Sequence, residues 1–157
     1  MERQSKAIAL IRDPQQTPVC WLLARNTSAD RWDFVIADQL ENESLRESVR
    51  REVAWRLNLD PRSDLLVSNM AHLNVEYSGQ GDAVDTDHPP ISLAFYSVEL
   101  YGNNARTRIA ERSDVCWVTS QEIYAEKAAD GRPMDAVSVS WIKKWQVIQE
   151  WDSDEIV

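Results

Sequence analysis

The sequence predicts an α/β protein, a mixed β-sheet flanked by helices. Three observations predict it. Short runs rich in β-branched and aromatic residues are spaced along the chain between turn signals. A capped helical stretch with apolar residues every fourth position interrupts them near the middle, and two more helical stretches close the chain. Only the first two strands are joined by hairpin-like turn chemistry, so a mixed sheet with covering helices is the natural architecture.

The elements follow in order. Ala7–Arg12 is an apolar strand, and Asp13–Pro18 is a turn with two prolines. Val19–Ala24 is a second strand, so the opening reads as a β-hairpin. Asn26–Arg31 is a polar loop, and Trp32–Ala37 is a third strand. Ser44, with Glu47 three residues on, reads as a capping box. Leu45, Val49, Val53 and Leu57 then form one apolar stripe, and Asn58 and Pro61 stop the helix. Leu65–Val75 reads as a strand with its approach, 79–90 as a loop, and Ile91–Leu100 as a strong strand. Asn103-Asn104 marks a turn, and Val115–Val118 a short strand. Thr119 and Glu122 make a second capping box, opening a helix that runs to about Ala129. Pro133 suits the first turn of a final helix, with Val137, Trp141, Trp145 and Ile148 along one face.

Composition bounds the function. A chain of 157 residues suits one domain over 1–157, ending in an acidic tail at about 150–157. With 26 acidic residues against 17 Lys and Arg, the net charge of −9 argues against binding to nucleic acid backbones, which needs clustered cations. No apolar run approaches the roughly 20 residues that span a bilayer, and the N-terminus lacks a signal-peptide pattern, so no membrane partner and a cytoplasmic location are expected. Cys20 and Cys116 lie in β-like apolar runs and read as reduced core thiols. His72 and His88 stand apart from each other and from both cysteines.

One segment carries chemistry. Residues 32–59, WDFVIADQLENESLRESVRREVAWRLNL, contain Glu43, then Arg51-Glu52-Val53 eight to ten residues later, with Leu59 closing the stretch. This spacing, with Trp32 and Phe34 leading in, resembles the signature box of the Nudix (MutT-like) hydrolases. The strand Ile91–Leu100 and the segment ERSDVCWVTSQEI resemble later parts of those domains, so the likeness covers about residues 6–150. It implies a Nudix-type fold, a pyrophosphohydrolase ancestry acting on diphosphate bonds, and Mg²⁺ or Mn²⁺ as cofactor.

The box is degenerate. Ile36-Ala37 stands where the family has Gly-Gly, Trp55-Arg56 where it has Glu-Glu, and Asn58 where it has Gly. In the family the box helix presents several carboxylates to the metal, and these hard cations want oxygen ligands. Here Glu52 and Arg56 stand one helical turn apart, which suggests an ion pair of about 0.3–0.5 kcal/mol in place of a metal bridge. Metal binding is therefore expected to be weak or absent. Glu52 and Glu43 are the catalytic candidates the resemblance implies, with Glu52 also the weak metal ligand. Arg51, Arg56 and Trp55 are the ligand-binding candidates, although holding the loop onto the helix would equally explain Arg51. Asp82, Asp85 and Asp87, beside His88, are fallback metal ligands; Glu47, Glu111 and Asp114 are weaker ones.

Three functions remain open at this level. The leading one is a catalytically impaired Nudix-like domain that binds a nucleotide or diphosphate-containing ligand. The second is a divergent hydrolase of nucleoside diphosphate-linked substrates. The third is an interaction domain whose pocket Trp55 closes. Trp141 and Trp145 read either as packing against the sheet or as a homodimer face.

Overall fold

The computed structural model describes residues 4–71, 73–77 and 91–149. Asp82, Asp85, Asp87, both histidines and the acidic tail lie outside the described residues.

The strand β1 (Gln4–Arg12) is apolar on both faces: Ala7, Ala9 and Ile11 point one way, Ile8 and Leu10 the other. Such a strand belongs inside a sheet covered on both sides. It runs parallel to β7 (Ile91–Leu100) and antiparallel to β4 (Val35–Asp38), so Ala7 lies between Ala94 and Ala37. The other edge of β7 is shared by β6 (Leu73–Tyr77) and β5 (Leu65–Val67), both antiparallel. This makes a mixed five-stranded sheet. A second, antiparallel sheet centres β2 (Trp21–Asn26) between β3 (Arg31–Asp33) and β8 (Val115–Val118).

Helices cover both faces. On one side α1 (Leu45–Leu57) buries Val49, Val53 and Leu57, and α2 (Gly102–Ala110) buries Ala105 and Ile109, against Ala7, Ala9, Ile11 and Val98. Full burial of each large aliphatic side chain is worth about 1.5–3 kcal/mol. On the other side α3 (Ser120–Ala125) contributes Ile123, and α4 (Ala136–Trp145) contributes Val139, Trp141 and Ile142, against Ile8, Leu10, Leu93 and Phe95. Among the described residues no helix is long and apolar enough to cross a membrane.

Several expectations are corrected. The first two strands do not form a hairpin; their edges pair in different sheets although their side chains share the same cores, and a loop containing a cis Thr17-Pro18 bond carries the chain between them. The strand expected at 32–37 breaks at Phe34, where the chain passes from the second sheet to the first. The 65–75 stretch divides into β5 and β6. Asn103-Asn104 is not a turn but the start of α2. Glu126 takes a left-handed conformation, φ 62°, and ends α3 well before Ala129. Asp135 caps α4, two residues after Pro133. Along that helix Val137 is exposed, while Trp141 is 8% exposed and packs in the core, and half-buried Trp145 meets Phe95 edge-on at 6.4 Å. Both tryptophans of α4 thus pack towards the sheet.

Candidate functional site

The site grows from the loop between β4 and α1. With Ile36 and Ala37 held in β4, the tight turn is made further on, at Asn42, whose φ of 66° asparagine tolerates better than most residues. Ser44 then caps α1, its Oγ accepting from the Glu47 amide at 3.1 Å. The expected capping box is only half formed, because the Glu47 carboxylate accepts from the Ser44 hydroxyl at 3.2 Å. Asn58 ends the helix in a left-handed conformation, φ 54°, as its sequence position suggested.

Arg51 ties loop to helix. Its Nε donates to Glu43 Oε2 at 3.0 Å, its Nη2 to Glu43 Oε1 and to the Asp38 carbonyl, both at 3.0 Å, and its Nη1 to Glu52 Oε2 at 3.2 Å. Glu43 also accepts from Ser48 Oγ at 2.5 Å and from the Leu40 amide at 3.2 Å. The hydrogen bonds from Arg51, then from Ser48, hold the Glu43 carboxyl down to about 2, far below its ordinary range. Glu43 is therefore charged, with both its oxygens already bonded.

The expected Glu52–Arg56 pair does not form. Glu52 turns to Arg51, and Arg56 Nη2 donates to the Arg25 carbonyl at 2.8 Å. The reason is tertiary. The acceptor lies on β2, 31 residues away in sequence, and the tertiary fold brings it to the end of α1. Trp55, one residue earlier, is 75% exposed, and among the described residues it is not packed into a pocket as a plug would be. Leu40 in the preceding loop is also largely exposed, a feature that motif spacing does not signal.

A second arginine borders this region. Arg112 grips Asp114 through Nε at 2.8 Å and Nη2 at 2.7 Å, and its Nη2 also reaches the Arg56 carbonyl at 3.3 Å. The Arg112 hydrogen bond is the main cause lowering the Asp114 pKa, with Arg56 adding a smaller attraction. Asp114, one of the weaker metal candidates, is thus engaged. Cys116 is half-buried, and burial pushes its thiol up to about 12, in keeping with an inert structural residue.

The described carboxylates do not fit a divalent cation. Both Glu43 oxygens are bonded, Glu52 shares Arg51, and position 56 contributes a fixed positive charge. Among the described residues no three His, Cys, Asp or Glu side chains converge as a ligand group.

No family model matches this chain, and no curated relative does. Solved structures do match. The Ap4A hydrolase of C. elegans superposes with a TM-score of 0.59 at 16% identity, covering 92% of this chain and 97% of that one. The Nudix hydrolase RenU of M. smegmatis gives 0.56 at 16% identity, covering 94% and 87%. The chain has the Nudix fold. Shewanella oneidensis NrtR complexed with a 27mer DNA also matches, with a TM-score of 0.56 at 16% identity over 88% of this chain and 58% of that one. On this Nudix fold, α1 is the helix that carries the box-like residues, and it presents Glu52, Trp55 and Arg56 in register.

Proposed function

We propose that this Nudix-fold chain binds a nucleotide-like, diphosphate-containing small molecule at the α1 face without needing a divalent cation, and that hydrolysis there is lost or severely impaired. The observation that carries the reading is Arg56. A guanidinium has five N–H donors, and Arg56 spends one on the Arg25 carbonyl, so it is oriented yet still able to grip phosphate oxygens. Trp55 beside it offers an exposed indole on which a base can stack. Arg51 is nearly consumed by Glu43, Asp38 and Glu52, so its role is to position the loop rather than to hold ligand. Glu52 is the acid that residual hydrolysis would use. The net charge of −9 keeps the proposed ligand small, since a nucleic acid backbone would be repelled.

The test is calorimetric titration of ADP and nucleoside diphosphate sugars into the full chain, with EDTA and with Mg²⁺. Equal binding under both conditions, lost in Arg56→Glu, is the expected result. Turnover that requires Mg²⁺ and vanishes in Glu52→Gln would overturn the reading in favour of a divergent hydrolase.

A further inference from the structure

Away from the exposed Trp55, the end of α1 and the helix α2 border an open surface cleft of about 500 Å³. Its positive wall is Arg108 and Arg112. Arg108 Nη1 donates to the Asn58 carbonyl at 3.0 Å, and Arg112 Nη2 to the Arg56 carbonyl at 3.3 Å. These bonds satisfy carbonyls that the end of α1 leaves without helical partners. They also fix both guanidiniums at the rim of the cleft. Arg108 keeps four N–H donors free, and Arg112 keeps those of Nη1.

The remaining polar groups are mixed in kind. Thr107 on α2 and Glu111, the residue that ends it about one turn later, line the same space. Neither side chain has a hydrogen-bond or ion-pair partner among the described residues. The two other carboxylates nearby are committed: Asp114 to Arg112, and the buried Asp64 to the Asp60 amide and to Asn104. A simple anion would use the arginines and be repelled by Glu111. A ligand with an anionic end and hydroxyl donors would satisfy both walls.

We infer that this cleft binds a phosphate monoester bearing free hydroxyls, a molecule of the sugar phosphate class. Its phosphate sits against Arg108 and Arg112, and a hydroxyl donates to Glu111. The volume lies within the range of about 300–1,000 Å³ common for small-molecule sites. The inference goes beyond the α1 reading and does not depend on it.

The experiment is an NMR titration of the ¹⁵N-labelled full chain with ribose 5-phosphate, orthophosphate and ribose. Ribose 5-phosphate is expected to shift the amides of Asn58, Thr107, Arg108 and Glu111 saturably, with a Kd of about 1 mM or tighter. Arg108→Gln should weaken it about ten-fold or more, the loss of a charge-assisted hydrogen bond. Glu111→Gln should weaken ribose 5-phosphate but not orthophosphate. The amide spectrum reports whether each variant is folded, and Glu111→Gln decides the matter if Arg108→Gln is not. Absence of saturable shifts on α2 overturns the inference. So does unchanged ribose 5-phosphate affinity in Glu111→Gln, which would mark nonspecific anion contact.

Discussion

Arg51 and Glu43 meet in a bidentate pair eight residues apart, Nε to Oε2 and Nη2 to Oε1, each at 3.0 Å. Both residues belong to the box-like spacing, yet neither needs a metal to explain its position. The pair fastens the loop at 39–44 to the outer side of α1, and Asp38 and Ser48 extend the same network. The bonding of Glu43 to Arg51 is thus complete although Trp55 and Arg56 follow on the same helix.

That network makes an acid-sensitive contribution. Glu43 has a folded pKa of about 2 against an ordinary 4.5, so folding favours its charged form. The stability it adds is fully present above about 4.5 and is lost as pH falls towards 2. Urea melts between pH 6 and 2 should show a shallower loss of stability in Glu43→Gln than in wild type. An identical acid limb in the two proteins would contradict the assigned bonding.

Trp55 separates binding from folding. At 75% exposure its replacement by Ala should leave stability within about 0.5 kcal/mol of wild type. Ligand affinity should fall by about 1–3 kcal/mol, the worth of a base stacked on an aromatic ring. Unaltered ADP affinity in Trp55→Ala would remove the stacking role.

Restoring acids should restore cation binding before chemistry. In Trp55→Glu/Arg56→Glu, three carboxylates including Glu52 share one helical face, and Mn²⁺ affinity should exceed wild type at least about ten-fold. Turnover of nucleoside diphosphate substrates should stay absent, because the turn before α1 is built at Asn42 rather than by a Gly-Gly pair. Micromolar Mn²⁺ binding by the unmodified protein would count against the metal-free reading.

The core and caps give simpler expectations. Phe95, fully buried on β7, should cost about 3–5 kcal/mol when replaced by Ala, measured by denaturant unfolding. Thr119 accepts from the Glu122 amide at 3.2 Å while Glu122 accepts from the Thr119 amide at 2.9 Å, so Thr119→Ala should cost about 1 kcal/mol.

Much of this was legible in local sequence. The stripe of Val49, Val53 and Leu57, the Ser44 cap and the Asn58 stop set the span of α1, because period and capping act within one helix. The Thr119–Glu122 box and the both-faces-apolar strand at Ile91–Leu100 were equally local signals. The spacing from Glu43 to Arg51 was visible as well.

Only the tertiary structure decided the partners. Strand pairing is a long-range choice, and turn residues at 13–18 do not reveal that β1 pairs with β4 and β7 instead of β2. Helical spacing offers Glu52 to Arg56, but Glu52 turns to Arg51 and the Arg56 guanidinium bonds the Arg25 carbonyl, a backbone acceptor 31 residues away that only the tertiary fold brings within reach. The cleft of Arg108 and Arg112 was hidden for the same reason: Asn103-Asn104 looked like a turn, and a helix packed against the end of α1 is what brings those side chains together.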